Sequence, residues 1–323
     1  MRNLPLLPRV AAVLAIVVVS ALAATTANAS PRYATYKLPA EFALPNDMTT
    51  GPDGATWVTD SSLGRIWRIS AKGKIRYHEL GQQPGAIVTA HGSMWVADAG
   101  GDAIHRVETD GSSVRYGLDD DSFPTSIALG PDGALWFTEA HDDEIGRLAL
   151  DGTVTEYALP TADAFAGDIV AGPDGALWFS ESSSDKLGRI TTAGAITEYE
   201  VPGAYGMPGP IVPGPDGALY VGERNDNVIS RVTTDGQFTA EYALPRENAD
   251  PLSMDIGADG ALYVSEFMSG VVSRMTFDGT FTDAYRIRGG YNDTVMAADD
   301  GALWVAQGSD GLVSRLDVGR LRG

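Results

Sequence analysis

The chain contains no cysteine and only four histidines among 323 residues, and it has 23 Lys and Arg against 43 Asp and Glu. The absence of cysteine excludes disulfides and thiolate chemistry. The formal net charge of −20 repels nucleic acid and anionic lipid and favours cationic ligands. Beyond the first thirty residues there is no long apolar run and no low-complexity stretch. A chain without disulfides must be stabilised by core burial, and about 290 residues suffice for that.

The first thirty residues are typical of a targeting segment. Arg2 and Arg9 precede or flank an apolar run over 10–24, and a small-x-small site follows at 27–29, which predicts a signal peptide over 1–29 and a mature chain from Ser30. A permanent membrane anchor is the alternative, but the run is short for the roughly 20 residues that span a bilayer. Removing the leader removes two of the 23 basic residues and no acid, so the mature net charge is −22. We expect a secreted, extracellular protein without membrane contact after cleavage.

The remainder of the sequence is a repeat. The phrase GPDGALWFTE at 130–139 returns as GPDGALWFSE at 172–181 and GPDGALYVGE at 214–223. Weaker copies are GPDGATWVTD at 51–60, AHGSMWVAD at 90–98, GADGALYVSE at 257–266 and ADDGALWVAQ at 298–307. The turn glycines lie 38 to 43 residues apart, at Gly54, Gly92, Gly133, Gly175, Gly217, Gly260 and Gly301. Seven copies of one unit follow from this spacing.

Each unit has the pattern of four short strands. In the third copy, β-rich runs at 126–129, 134–138, 145–148 and 153–159 are separated by Asp132-Gly133, a polar loop, and Asp151-Gly152. Asp-Gly between such runs favours a hairpin, because both positions tolerate positive φ. Four-strand units of about 40 residues are typical of propeller blades. We predict an all-β, seven-bladed β-propeller with four antiparallel strands per blade, forming one domain over 30–323.

The strand count predicts how the ring closes. The seventh unit has strands near 294–298, 302–306 and 312–316, and its fourth strand is missing before Gly323. The segment Tyr33 to Pro39 (YATYKLP) matches the outer strand VTEYALP at 154–160. An N-terminal strand that completes the last blade would leave no open edge.

An acidic residue ends the second strand of six units, and glutamine ends the seventh. We name these the collar residues: Asp60, Asp98, Glu139, Glu181, Glu223, Glu266 and Gln307. One interpretation is a ligand-facing carboxylate ring whose six acids bind Mg²⁺ or Ca²⁺, since hard cations take oxygen ligands. The other rests on arginines eight residues after each collar residue, which favour structural ion pairs. These are Arg68, Arg106, Arg147, Arg189, Arg231, Arg274 and Arg315.

The residues that lead into the innermost strands are mostly small, and the polar exceptions belong to units one and seven. In units one to seven this position is occupied by Asn46, Gly85, Thr125, Gly167, Gly209, Leu252 and Asp293. Units one and seven become neighbours when the ring closes, so we predict an off-axis ligand site at their seam. Its candidate residues are Asn46, Asp47, Asp60, Asn292, Asp293 and Gln307. The alternative is that Asn and Asp serve here as turn formers.

Of the four histidines, three are predicted to be structural or solvated: His78 in an outer strand, His91 in a turn and His105 in a third strand. His141 follows Glu139 by two residues on a mouth loop, and this spacing could support a shared metal or a general-base pair. A solvated acidic loop that carries a histidine is the other interpretation. His141 and Asp293 are the candidates for catalysis.

The units DGALWFTE, IGRL at 145–148 and TEYALP at 155–160 resemble the repeat of streptogramin (virginiamycin B) lyases, over about Tyr33 to Leu316. The resemblance implies a seven-bladed propeller that opens a cyclic depsipeptide by elimination at its ester, with magnesium. It also implies a general base and a partner histidine just before the innermost strands of two adjacent late blades, and a nearby metal-binding glutamate. Here those two positions hold Leu252 and Asp293.

These features are compatible with three functions. The first is a binding propeller that holds a small cationic, metal-bridged or peptide ligand at an acidic mouth without the family histidines. The second is a metal-dependent lyase or lactone hydrolase with a displaced base. The third is a matrix scaffold that uses the blade rims. Mg or Ca is the only cofactor that these patterns suggest. A monomer is expected because the closed ring leaves no strand edge to pair, and no nucleic-acid binding is expected because of the negative charge.

Overall fold

Seven four-stranded antiparallel sheets form a ring in the computed structural model, which describes residues 32–318 apart from 204 and 299. The predicted leader lies outside the described residues. Blade 1 contains β2 (Pro45–Thr50), β3 (Thr56–Asp60), β4 (Arg65–Ile69) and β5 (Ile75–Glu79). Blade 2 contains β6 (Pro84–Ala90), β7 (Ser93–Asp98), β8 (Ala103–Val107) and β9 (Ser113–Gly117). Blade 3 contains β10 (Pro124–Leu129), β11 (Leu135–Glu139), β12 (Glu144–Leu148) and β13 (Val154–Ala158).

The later blades repeat this order. Blade 4 contains β14 (Ala166–Ala171), β15 (Leu177–Glu181), β16 (Lys186–Ile190) and β17 (Ile196–Glu200). Blade 5 contains β18 (Pro208–Pro213), β19 (Leu219–Glu223), β20 (Val228–Val232) and β21 (Phe238–Ala243). Blade 6 contains β22 (Pro251–Ile256), β23 (Leu262–Glu266), β24 (Val271–Met275) and β25 (Phe281–Arg286). Blade 7 contains β26 (Thr294–Ala297), β27 (Leu303–Gln307), β28 (Leu312–Asp317) and the N-terminal β1 (Arg32–Lys37).

Closure by the N-terminal strand is confirmed. β1 pairs antiparallel with β28, with Tyr33 opposite Leu316 and Tyr36 opposite Val313. The innermost strands contact their neighbours in order, and β2 contacts β26 to complete the ring. Within the described residues no helix is long and apolar enough to cross a membrane, and the helical turns are the 3₁₀ segments Ala99–Gly101 and Gly308–Asp310.

The hydrophobic core lies between the blades. The second strand is buried along its whole length, as in β11, whereas the outer strand β13 is largely exposed. Second strands are covered on both faces by adjacent blades, which explains their continuous apolar runs. Trp136 of blade 3 packs with Phe179 of blade 4, and Trp304 of blade 7 packs with Val58 of blade 1. In the described part of the chain, one such cluster fills each of the seven blade interfaces.

The two ends of the blades differ in their connections. The turn face carries the hairpins between first and second and between third and fourth strands. The mouth face carries the loops between second and third strands and the loops between blades. Six innermost strands have a register shift at their mouth end, whereas β26 of blade 7 pairs regularly in its described residues. Blade 7 is therefore the irregular member of the ring at the mouth.

Candidate functional site

The loops between blades are held on the mouth face by side chains from the preceding blade. Asp143, in the loop between β11 and β12, accepts hydrogen bonds from the backbone N–H groups of Asp163 and Ala164 at 2.6 and 2.9 Å. Asp102, Asp185 and Asn227 hold the equivalent loops of their neighbours. Polar side chains with left-handed backbone therefore fix the shape of the mouth.

The held loops force bulky residues into a strained conformation. The residue just before the innermost strand has φ between 52° and 56° in four consecutive blades: Phe123, Phe165, Met207 and Asp250. The left-handed region costs a residue with a Cβ roughly 1–2 kcal/mol. Such strain is typical of functional sites when the surrounding structure maintains it.

A central cavity of about 730 Å³ opens at this mouth. Its wall is formed by the innermost strands, and Phe165, Met207, Leu252 and Arg224 lie among its lining residues. Arg224 is held by two hydrogen bonds to the carboxylate of Asp250, at 2.6 and 2.9 Å. The cavity wall therefore combines apolar side chains with an arginine that an aspartate holds in place.

Three acidic residues line the same cavity and tie neighbouring blades together. Asp47 accepts a hydrogen bond from the Ile87 N–H at 2.9 Å, and Asp168 and Asp255 accept equivalent bonds from the next blade. Burial raises the pKa of Asp47 to about 6, against the lowering effect of its backbone hydrogen bonds, and Asp168 and Asp255 add to the rise. Burial likewise raises the pKa of Asp168 and of Asp255. Negative charge inside the cavity favours a cationic group in a ligand.

A second cavity, of about 290 Å³, lies at the seam of blades 7 and 1. It is lined by Asn46, Leu252, Asp293 and Thr294 together with Leu44, Pro45, Ser61 and Gly308. Thr294 joins the two blades by donating its hydroxyl to the Asn46 carbonyl at 2.6 Å. Burial raises the pKa of Asp293, although the Gly308 N–H donates to its carboxylate. Asn46 and Asp293 thus meet at one cavity, and their role as ligand-binding residues stays a prediction.

The other predicted seam residues lie elsewhere. Asp47 faces the central cavity, whereas Asp60, Asn292 and Gln307 are fully buried. Asp60 accepts from Trp67 Nε1 at 2.9 Å, and Gln307 accepts from the Ser314 hydroxyl at 2.9 Å. Neither atom of the Asn292 amide has a hydrogen-bond partner within the described residues.

The collar residues lie inside the blades, where each is 0–1% exposed, and none is among the residues that line the central cavity. Each faces the residue seven positions later, on the third strand of its own blade. These pairs are Asp60 and Trp67, Asp98 and His105, Glu139 and Gly146, Glu181 and Gly188, Glu223 and Ser230, Glu266 and Ser273, and Gln307 and Ser314. Five of these partners donate a hydrogen bond to the collar residue, and the two glycines cannot.

The predicted pairing of collar residues with the arginines eight positions later is wrong. Glu139 lies opposite Glu144, whereas Arg147 lies opposite Trp136, three residues and about 10 Å further along the strand. Arg147 therefore points to the other side of the sheet, and its guanidinium pairs with the turn residue Asp132 at 2.7 Å. The same turn-face pairing joins Arg68 to Asp53, Arg189 to Asp174, Arg231 to Asp216, Arg274 to Asp259 and Arg315 to Asp300. Arg106 pairs with Glu108 because the first turn of blade 2 has no aspartate.

All four histidines lie away from the two cavities. His105 is buried against Asp98, with Nε2 3.2 Å from the carboxylate. His141 is exposed, stacks on Phe123 at a centroid distance of 4.3 Å, and lies 3.0 Å from Asp121. His141 does not contact the Glu139 carboxylate, which has no hydrogen-bond partner within the described residues. The pair suggested by their spacing is therefore not formed.

An apolar rim around the mouth is the feature that the sequence reasoning missed. Phe42 and Tyr205 are 79% and 78% exposed, and Leu44, Phe165, Met268 and Tyr291 are also exposed on mouth loops. Each lies within a few residues of an innermost strand or just after a second strand. In the sequence, these residues could have been recognised as apolar residues within polar loops.

Comparison with known proteins identifies relatives of this architecture. The model of the Virginiamycin B lyase family matches residues 81–321. A streptogramin B lyase structure is 29% identical with a TM-score of 0.83, covering 88% of this chain and 97% of its own. A virginiamycin B lyase from Staphylococcus aureus is 30% identical with a TM-score of 0.83, and the match covers 89% of this chain and 99% of that one. A catalytically inactive histidine-to-alanine variant of the Staphylococcus aureus enzyme, with quinupristin, is 31% identical with the same TM-score and coverage. No curated protein matches the chain.

Proposed function

The chain belongs to the virginiamycin B lyase family, and from that premise we propose that it is a binding member of the family that holds a small peptide-like ligand at the mouth without opening an ester. The ligand we propose carries apolar or aromatic side chains and a cationic or metal-bridged group. A relative of known structure is a virginiamycin B lyase with quinupristin, which supports this class of ligand.

One observation carries the proposal: Leu252 and Asp293, which stand where the resemblance to the family implies histidines, both line the seam cavity. Elimination needs a base that removes a proton beside the ester carbonyl. A leucine side chain cannot accept a proton, and no histidine of the chain lies at either cavity. We therefore expect the protein to bind the ligand without catalysing the elimination.

The mouth supplies groups suited to such a ligand. The apolar rim offers Phe42, Phe165, Tyr205 and Met268 for contact with apolar side chains. Asp47, Asp168 and Asp255 give the cavity below the rim a negative potential, which favours a cationic group.

Magnesium, which the family implies, is compatible with the residues at the seam. Asp293 and Asn46 offer oxygen atoms there, and Mg²⁺ in proteins commonly takes one or two carboxylates together with water and ligand oxygens. Asp293 would hold the ion, and the ion would supply charge that orients a ligand carbonyl.

The experiment is binding and product analysis with quinupristin as the probe. We expect calorimetric binding in 5 mM MgCl₂ at about micromolar affinity and no ring-opened product by mass spectrometry above the rate in buffer. Phe165→Ala should weaken binding about tenfold. Leu150→Ala is the matched control, because Leu150 is an exposed apolar residue on the turn face. Absence of binding would overturn the proposed ligand class, and catalytic ring opening would overturn the loss of chemistry.

A second candidate function is a lyase or lactone hydrolase that uses Asp293 as its base. The observation in its favour is that burial raises the pKa of Asp293 beside the seam cavity, as a general base near neutral pH requires. Ring opening that is abolished by Asp293→Asn and retained by His141→Gln would establish it.

Secretion of the mature chain as a monomer completes the proposal. The leader pattern at 1–29 and the closed ring of sheets support it. Mass analysis of the exported protein should find a start at Ser30, and light scattering should give one chain per particle. A retained leader or a stable dimer would contradict these two points.

A further inference from the structure

Blade 3 contains a buried carboxylate without a partner. Glu139 is 0% exposed, and neither of its oxygens has a hydrogen-bond partner among the described residues. Its facing position is Gly146, which offers no donor. A buried unpaired charge is strongly unfavourable, so this carboxylate requires either a proton or a cation.

Two more carboxylates meet Glu139 at the same place. Glu144 lies directly opposite it on β12, and Glu156 lies opposite Gly146 on β13. Each of the three offers an oxygen, and these oxygens lie within 4.8 Å of one another. Glu156 is exposed, so the group is reached from solvent. No salt bridge reaches any of the three within the described residues.

Gly146 leaves the room that this arrangement needs. A Cβ at that position would lie 2.5 Å from Glu139 Oε1 and 2.1 Å from the Phe137 ring. Burial and then the charges of Glu156, Glu144, Asp142 and Asp119 raise the pKa of Glu139 to about 8. Among the described residues no Lys or Arg side chain pairs with these three carboxylates, so a proton or a bound cation must balance their charge.

In blade 4 the chain supplies a cation of its own beside the equivalent carboxylates. Its equivalents are Glu181, Gly188 and Glu198, and Lys186 stands where blade 3 has Glu144. The Lys186 ammonium lies 2.9 Å from Glu198 and 3.7 Å from Glu200. Burial acts to raise the pKa of Glu198, but the hydrogen bonds from Thr161 and Lys186 together have the larger effect, so the pKa is lowered.

We propose that blade 3 binds a hard divalent cation, of which Ca²⁺ is the best fit, between Glu139, Glu144 and Glu156. Ca²⁺ takes six to eight oxygen ligands at about 2.3–2.6 Å, so oxygens up to about 5 Å apart can share one ion, and water completes the shell. None of the three residues lines either mouth cavity, so this site is independent of the proposed ligand site.

The test is calcium titration of the full mature chain after removal of metals with EDTA. We expect one Ca²⁺ per chain by calorimetry and a rise in Tm of about 5 °C at saturation. Mg²⁺ should bind at least tenfold more weakly, because it gives up its water reluctantly. Asp293→Asn should leave the stoichiometry unchanged, which separates this site from magnesium at the seam.

Two variants make the test specific. Glu144→Lys reproduces the internal cation of blade 4, and we expect it to abolish calcium binding while keeping the metal-free Tm at or above that of the parent. Glu156→Gln at the exposed edge should weaken binding at least tenfold, and Glu247→Gln on an exposed loop is the control. No binding at 5 mM CaCl₂ would overturn the proposal, and so would binding that survives Glu144→Lys.

Discussion

The two ends of the same blades are built by opposite rules. On the turn face, the aspartate of the first hairpin pairs with an arginine in every blade except blade 2, which has no aspartate there. In blades 1, 3 and 4 it also accepts the Nε1–H of a tryptophan. On the mouth face, the collar residues sit at equivalent positions but face tryptophan, histidine, glycine or serine. The repeat therefore preserves one end and varies the other.

Backbone strain and the pKa values of the carboxylates also differ between the turn face and the mouth face. Apart from His91, the described turn-face positions with positive φ are glycines such as Gly133 and Gly175, whereas the mouth-face positions include Phe123, Phe165 and Met207. For Asp132, burial acts to raise the pKa, but the bonds from Trp136 and Arg147 lower it overall. For Glu139 and Glu181, burial raises the pKa to about 8 and about 7. The turn face therefore holds its hairpin carboxylates in ion pairs, whereas the mouth face has left-handed backbone at bulky residues and buried glutamates with raised pKa.

The largest expected effect comes from giving blade 4 the charge pattern of blade 3. Lys186→Glu should lower the free energy of unfolding in EDTA by about 3 kcal/mol, because it removes the cation that pairs with Glu198 and places a further carboxylate beside Glu181 and Glu198. Urea unfolding measures this, with Lys72→Glu at an exposed position as control. A loss no larger than that of the control would show that the internal cation is not needed.

The turn face should respond equally in different blades. Asp132→Ala and Asp174→Ala each remove the acceptor of a tryptophan N–H and of an arginine, so each should cost about 2 kcal/mol. Urea unfolding of both variants tests the equivalence. A difference of more than about 1 kcal/mol between them would mean that the repeats are not interchangeable even at this end.

The buried Glu139 should make the free energy of unfolding decrease as the pH rises. The folded pKa of Glu139 is raised from 4.5 to about 8, so its contribution is fully present below pH 4.5 and is lost as the pH rises through 8. In EDTA, Glu139→Gln should reduce the fall in unfolding free energy between pH 5 and pH 8 by on the order of 1–2 kcal/mol. An unchanged fall would mean that this carboxylate does not keep its proton in the metal-free protein.

The smallest effect concerns backbone strain. Phe165→Gly should be more stable than Phe165→Ala by about 1 kcal/mol, because glycine adopts a φ of 52° without steric cost. Gly133→Ala on the turn face is the matched comparison and should lose about 1 kcal/mol, since a Cβ there meets nothing within 4 Å and only the backbone is affected. Thermal unfolding of these variants and their parents gives both differences. If Phe165→Ala were as stable as Phe165→Gly, the left-handed backbone at position 165 would not be strained.

The sequence by itself determined the architecture. Seven phrases such as GPDGALWFTE fix seven blades, since each turn and each apolar run specifies a strand locally. The segment near Tyr33 identified the closing strand, which the structure confirms. That Leu252 and Asp293 stand where the resemblance to the family implies histidines stays a prediction from the sequence.

Only the tertiary structure decided which side chains meet. Side chains alternate between the two faces of a strand, so Glu139 faces Gly146 and not Arg147, and one position of offset changes the partner completely. The placement of Asn46 and Asp293 at one cavity depends on ring closure, and the meeting of Glu139 with Glu144 and Glu156 depends on strand register. Local pattern determines the elements because turns and burial act over a few residues, whereas contacts between strands depend on register and on the arrangement of whole blades.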